Sequence, residues 1–210
     1  MDEKLQIAAL ILAAGEARRF GEPKQLLPWG ETTILGQVIG TVSRCLPAAN
    51  IHLVLGAHYE RITSRLAREL RPLTVIRNRQ WADGMFSSIC AGLESLRRRP
   101  AVDGILLLLG DMPFITAATL RQFIDRAPAA LAAGVPLIAA ENGRPAHPYL
   151  VWRLHIGEIL SLTGESGIRP FIGKHFPAAE KIPVSAVAGR RDIDTWDAYY
   201  RWRPAGSQRS

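Results

Sequence analysis

Apolar positions along the chain fall in short unbroken runs: IAALIL (7 to 12), IHLVLG (51 to 56), LTVIRN (73 to 78), GILLLLGD (104 to 111) and VPLIAA (135 to 140). Runs of this length without polar alternation predict strands buried on both faces, as in a parallel sheet. Between them, residues 33 to 46, 58 to 70, 85 to 98 and 116 to 133 carry apolar residues at helical spacing. Strands alternating with helices predict an α/β layered fold with right-handed crossovers, in which ligands gather at the carboxyl ends of the strands. After Asn142 the alternation weakens. GRPAHPYLVWR reads as a loop feeding a strand, SGIRPFIGKHF as a short helix interrupted near Pro170, and KIPVSAV as a further strand.

The chain has 210 residues, 48% of them hydrophobic and 21% charged, enough for one domain with a full core. Residues 1 to 204 are expected to form it, and the closing AGSQRS (205 to 210) a disordered tail. No apolar stretch is long enough to span a membrane and the N-terminus, with Asp2 and Glu3, is unlike a secretory signal, so a cytoplasmic protein is expected. Cys45 and Cys90 lie in apolar helical patterns without metal-ligand spacing, which predicts free buried thiols. The net charge of +7 raises nucleic-acid binding, but the cations do not cluster into a stripe. Only a general attraction for anionic ligands follows.

LILAAGEARRFGEPKQLLPWG (10 to 30) then carries the first candidate chemistry. A strand ending in Ala13, Ala14 and Gly15 exposes backbone N–H groups with no large side chain in the way, which suits a phosphate, and Arg19 and Lys24 bring positive charge to it. Neither GxxxxGK[ST] nor GxGxxG is present. In LLLLGDMPF, Asp111 follows an apolar strand directly. A carboxylate there needs a partner; a divalent cation is favoured over a helix cap, because Thr116 caps the next helix better. In DIDTWDAYY (192 to 200), Asp192 and Asp194 share one side of an extended stretch, each a cap or a second metal ligand, with Thr195 a candidate cap. NRQWADGMFSSICAGL (78 to 93) sets Gly84, Ser87 and Ser88 at a helix start, where the dipole favours an anionic or carbonyl-bearing ligand. GRPAHPYL holds His147 between two prolines in a stiff loop.

Together these segments resemble the molybdenum cofactor cytidylyltransferases, which are related to the guanylyltransferases of that cofactor. LAAGEARRFGEPKQLLPWGETTIL is similar to LAAGxSxRxGxxKxLLPxxGxxxL, NRQWADGMFSSICAGL to NxxWxxGMxxSLxxGL, LLGDMP to GDxP, GRPAHP to GxPxHP and DIDTWDAY to DIDTPEDY. Glu16 and Ala17 replace a small residue followed by serine, and Trp196 stands where proline is common. The resemblance implies a doubly wound, mostly parallel α/β sheet in three layers, a Rossmann-like nucleotidyltransferase fold. It implies transfer of a nucleoside monophosphate to an acceptor phosphate with release of pyrophosphate. Leu12, Ala13, Ala14, Gly15, Gly84 and Ser88 would then line the nucleotide, and Arg19 and Lys24 would hold its phosphates. Asp111 and Asp194 would hold Mg2+, and His147 would face the acceptor; Arg19, Lys24 and Asp111 form the expected catalytic set. LAAG at 12 to 15, where guanylyltransferases read LAGG, implies CTP over GTP, since the Ala14 methyl narrows the base pocket. The expected partners are CTP and a molybdopterin-type acceptor, with a molybdenum hydroxylase or its chaperone downstream, and neither nucleic acid nor membrane.

Overall fold

The computed structural model describes residues 5–162, 167–184 and 193–207. Its main sheet has seven strands: β1 (Ile7–Ala13), β4 (Ile51–Leu55), β5 (Thr74–Arg77), β6 (Gly104–Leu109), β7 (Leu137–Glu141), β8 (Arg144–Trp152) and β9 (Glu180–Pro183). The spatial order is β5-β4-β1-β6-β8-β7-β9, and a two-strand ribbon of β2 (Pro28–Trp29) and β3 (Thr32–Thr33) stands apart. Every residue of β1, β4 and β6 is buried, as unbroken apolar runs require. β8 alone runs antiparallel to its neighbours.

Helices α1 (Ile34–Ser43), α2 (Tyr59–Arg65), α3 (Ala67–Leu70), α4 (Met85–Arg97), α5 (Ala117–Ala132), α6 (Ile156–Leu160), α7 (Arg169–His175) and α8 (Trp196–Trp202) complete the described chain. Two large apolar clusters lie on opposite faces of the sheet. One packs Ile11 and Leu53 with Val38 of α1 and Phe123 of α5; the other packs Leu10 and Leu107 with Leu93 of α4 and Phe171 of α7. This is the expected three-layer, doubly wound arrangement. Among the described residues, no helix is long and apolar enough to cross a membrane.

Four expectations change. GRPAHP is strand, because Asn142 (φ 49°) and Gly143 (φ 73°) close a two-residue hairpin turn that leads straight into β8 at Arg144. Pro170 does not interrupt its helix; it occupies the first turn of α7, where a missing N–H costs nothing. The segment 58 to 70 divides into α2 and α3 at Leu66, whose φ of −109° leaves the helical range. Cys45 and Cys90 are free but only half-buried. Of KIPVSAV, residues 181 to 183 are strand and 185 to 187 lie outside the described residues, as does Asp192. Of the expected tail, 208 to 210 lie outside as well, whereas Ser207 is buried and its Oγ accepts from the Gly30 N–H at 2.8 Å.

The strand order fixes where a ligand can sit. From β1 the chain builds outwards through β4 to β5, then returns to β6 on the other side of β1, so strand order reverses between β1 and β6. The two crossovers leave in opposite directions there and open a crevice at the carboxyl ends. Leu12–Gly15 and Leu109–Asp111 border it.

Candidate active site

A cavity of about 540 Å3 occupies that crevice, within the range that holds a nucleotide-sized ligand. Its lining includes Leu12, Ala13, Ala14, Gly15, Arg19, Lys24, Gly84, Ser88, Asp111 and Asp194, so ten of the eleven residues singled out from sequence meet in one place.

Two glycines let the strand ends close up. A Cβ on Gly110 would lie 2.7 Å from Ala13 Cβ, and one on Gly56 would lie 2.7 Å from Ala14 O and 2.5 Å from Trp81 Cβ. The loop after β1 is pressed between them. Its Ala17 takes a left-handed conformation (φ 56°), uncommon for a residue with a Cβ, and opens a short 3-10 turn, Arg18–Phe20, that ends at Gly21 (φ 68°). Arg19 leaves this turn exposed at the cavity rim and makes no ion pair among the described residues.

Lys24 crosses the cavity floor. Its Nζ lies 2.5 Å from Asp111 Oδ2 and 2.6 Å from Asp194 Oδ1. Burial would push this ammonium down, but the two carboxylates outweigh it and hold Lys24 above the ordinary lysine value. Asp111 is largely buried and keeps Oδ1 without a partner among the described residues, whereas Asp194 is half-exposed. Capping is left to Thr116, which accepts from the Thr119 N–H, and to Thr195, which accepts from the Ala198 N–H. The aspartates are therefore free for other work. Asp194 reaches Lys24 because neighbouring Ile193 is fully buried and Trp196 packs edge-on against Phe20, with 5.1 Å between ring centroids. Trp196 thus ties the last helix to the loop turn.

On the remaining wall, Gly84 (φ 96°) opens α4, a conformation suited to glycine. Ser87 and Ser88 do not cap it. Asn78, buried, donates through Nδ2 to both hydroxyl oxygens, at 2.8 and 3.0 Å, and so fixes Ser88 in the lining.

His147 is not part of the lining. It sits inside β8 with its ring 4.1 Å from that of Tyr149, and burial pulls it down to about 4, which keeps it neutral near pH 7. Sequence reasoning passed over Gln25 and His58. Gln25 is 2% exposed, and its Nε2 donates to Ala13 O at 3.1 Å and Gly15 O at 3.0 Å. His58 Nε2 lies 2.8 Å from Glu16 O. A glutamine flanked by apolar residues in KQLLPW was the available signal, since a polar side chain buried with them must find partners.

A backbone loop, an exposed arginine and a lysine held by two carboxylates therefore meet in one cavity at the sheet's switch point. The MobA-like NTP transferase domain model matches residues 9–179, and the chain belongs to that family. It is a nucleotidyltransferase of MobA-like type. It is 26% identical over 195 residues to the molybdenum cofactor cytidylyltransferase of Escherichia coli K12, covering 92% of this chain and 93% of that one. It is 28% identical over 202 residues to the nicotine blue oxidoreductase of Paenarthrobacter nicotinovorans, covering 93% and 95%. Among solved structures, Rv0371c of Mycobacterium tuberculosis H37Rv superimposes with a TM-score of 0.78 at 30% identity, covering 94% of this chain and 96% of that one. A structure of the same protein in complex with manganese gives 0.74 at 29%, covering 93% and 97%.

Proposed function

We propose that the protein transfers CMP from CTP to the phosphate of a molybdopterin-type acceptor and releases pyrophosphate. The observation that carries this reading is Lys24 bound between Asp111 and Asp194 beside the loop of Ala14 to Ala17. The cytidylyltransferase relative supports the base and the acceptor.

An acceptor phosphate oxygen attacks the α-phosphorus in line, a bond forms there, and the bond from α-phosphorus to the β-bridging oxygen breaks with its electron pair leaving on pyrophosphate. The chain's own contribution is positioning and charge. Loop N–H groups and Arg19 hold the outgoing phosphates. Lys24 exchanges a carboxylate for a phosphate oxygen as negative charge develops. Asp111 and Asp194 fit a divalent cation, since the buried Asp111 Oδ1 is unpartnered and oxygen donors suit Mg2+ or Mn2+. Such an ion would supply further neutralisation of the triphosphate. His147, apart from the cavity and neutral, takes no step in this scheme.

For the base, Ala14 is buried in the cavity lining with Trp81, and only the absence of a Cβ at Gly56 leaves room for its methyl, from which such a Cβ would lie 2.8 Å. A purine meets that wall before a pyrimidine does. With CTP and GTP competing in one reaction and the products separated by mass, CTP is expected to be used about tenfold or more in preference, and Ala14→Gly to narrow the gap. Equal use or a GTP preference overturns the base assignment. Absence of pyrophosphate release with every triphosphate, together with oxidation or reduction of nicotine blue, would replace this reading with the activity named for the Paenarthrobacter relative.

A further inference from the structure

Phosphate loops work by turning backbone N–H groups towards an anion, and every such turn needs the carbonyl groups pointed elsewhere. In a trans peptide unit the C=O of one residue and the N–H of the next point in opposite directions. Whatever captures the carbonyl of residue i therefore aims the N–H of residue i+1.

In this chain four consecutive carbonyls after β1 are captured. Gln25 Nε2 donates to Ala13 O (3.1 Å) and Gly15 O (3.0 Å), and the Ala57 N–H donates to Ala14 O (3.1 Å). His58 Nε2 lies 2.8 Å from Glu16 O, and because a carbonyl can only accept, that ring nitrogen carries the proton. The N–H groups that follow, of Ala14, Gly15, Glu16 and Ala17, have no acceptor among the described residues. Such a run of free donors whose carbonyls are already satisfied is what an anion-binding backbone concavity requires. Small side chains alone would not produce it, since an unanchored loop could present either end of each peptide dipole.

We infer that Gln25 and His58 are positioning residues for phosphate recognition: they hold the loop's carbonyls and so turn its N–H groups to the triphosphate, without touching the ligand. The inference rests on reading the loop as the phosphate site. Gln25 follows Lys24 directly, so one short segment delivers both the cation that meets the phosphates and the amide that orients the loop.

The test uses inorganic tripolyphosphate, which carries neither base nor acceptor, with calorimetric affinity as the readout on the full chain. Gln25→Glu keeps size and loses both donors; it is expected to weaken binding tenfold or more. His58→Ala is expected to weaken it severalfold, and His58→Gln, which places an amide Nε2 at similar reach, to restore most of the loss. A purely structural role would show the same affinity at temperatures below each variant's melting point. Should Gln25→Glu fail to fold by circular dichroism, the His58 pair decides alone. Affinities of folded variants within twofold of the parent, no recovery in His58→Gln, or no binding by the parent would overturn the inference. Tight binding by the parent with no nucleotidyl transfer from any triphosphate would instead count against the proposed reaction and leave the positioning role standing.

Discussion

The loop of Ala14 to Ala17 and the carboxylates around Lys24 face the same cavity but are held by different forces. Uncharged amide donors behind it, from Gln25 and Ala57, hold the loop together with the His58 ring. Opposite charges meet at the other wall, with one ammonium between two carboxylates of unequal exposure. Neutral hydrogen bonds are nearly indifferent to salt and to pH, whereas an ion pair must be broken and remade when a new charged group arrives. The first wall is a fixed mould. Under the proposed reaction the second is an exchange in which Lys24 gives up a carboxylate for a phosphate and the released oxygens become available to a cation.

The most damaging way to separate the walls is Asp111→Asn. It keeps volume and removes the buried charge, so pyrophosphate release is expected to fall by about 10³-fold or more while loop-dependent tripolyphosphate binding survives. Melting temperature must be followed alongside, because taking one partner from a buried pair is itself destabilising. Near-normal turnover in the variant would remove Asp111 from the charged wall.

A pH series gives the next largest effect and shows which acid losses belong to the fold. Burial holds His52, His147 and His155 down to about 4, helped at His52 by Arg99 and at His155 by His175. Unfolded, each would titrate near 6.5, so between pH 6.5 and 4 the unfolded chain binds protons that the folded chain refuses. Stability is therefore complete above about 6.5 and declines as the pH falls towards 4. Lys24 has the opposite sign: raised above its ordinary value, it contributes at all pH below about 10.5 and is lost only above that. Denaturant titrations at pH 7.5, 6 and 4.5 should show a falling midpoint, and a flat profile would mean the rings are protonated in the fold.

The smallest effect lies in the mould. Relieving the left-handed Ala17 with Ala17→Gly is expected to raise stability by about 0.5 to 1 kcal/mol, net of the entropy glycine adds to the unfolded chain. A decrease in melting temperature would show that Ala17 carries no strain.

The central strands were legible because a strand buried on both faces has one simple signature, an unbroken apolar run. Helices α1, α4 and α5 were legible for the same reason at another period. The first half of β8 was not, since Pro145 and Pro148 are read as loop formers; the hairpin at Asn142–Gly143 was the better guide. In the site, charged residues announced themselves: Asp111 just past the end of β6, and Lys24 in the cation-bearing segment that follows the small-residue turn. Gln25 and His58 did not, because a residue that acts on its neighbours' backbone leaves no spacing rule. His147 was singled out from a stiff loop and from the resemblance, and it lies within β8 outside the cavity lining.

Lys24 and Asp194 are 170 residues apart in sequence. At a translation rate of roughly 5 to 20 residues per second, about 10 to 35 s separate their synthesis. For about the last half of that interval Asp111 has been made and Asp194 has not, so the lysine has one of its two partners. Asp194 completes the lysine's pairing late in synthesis, whereas the groups that hold the loop all lie within the first 58 residues.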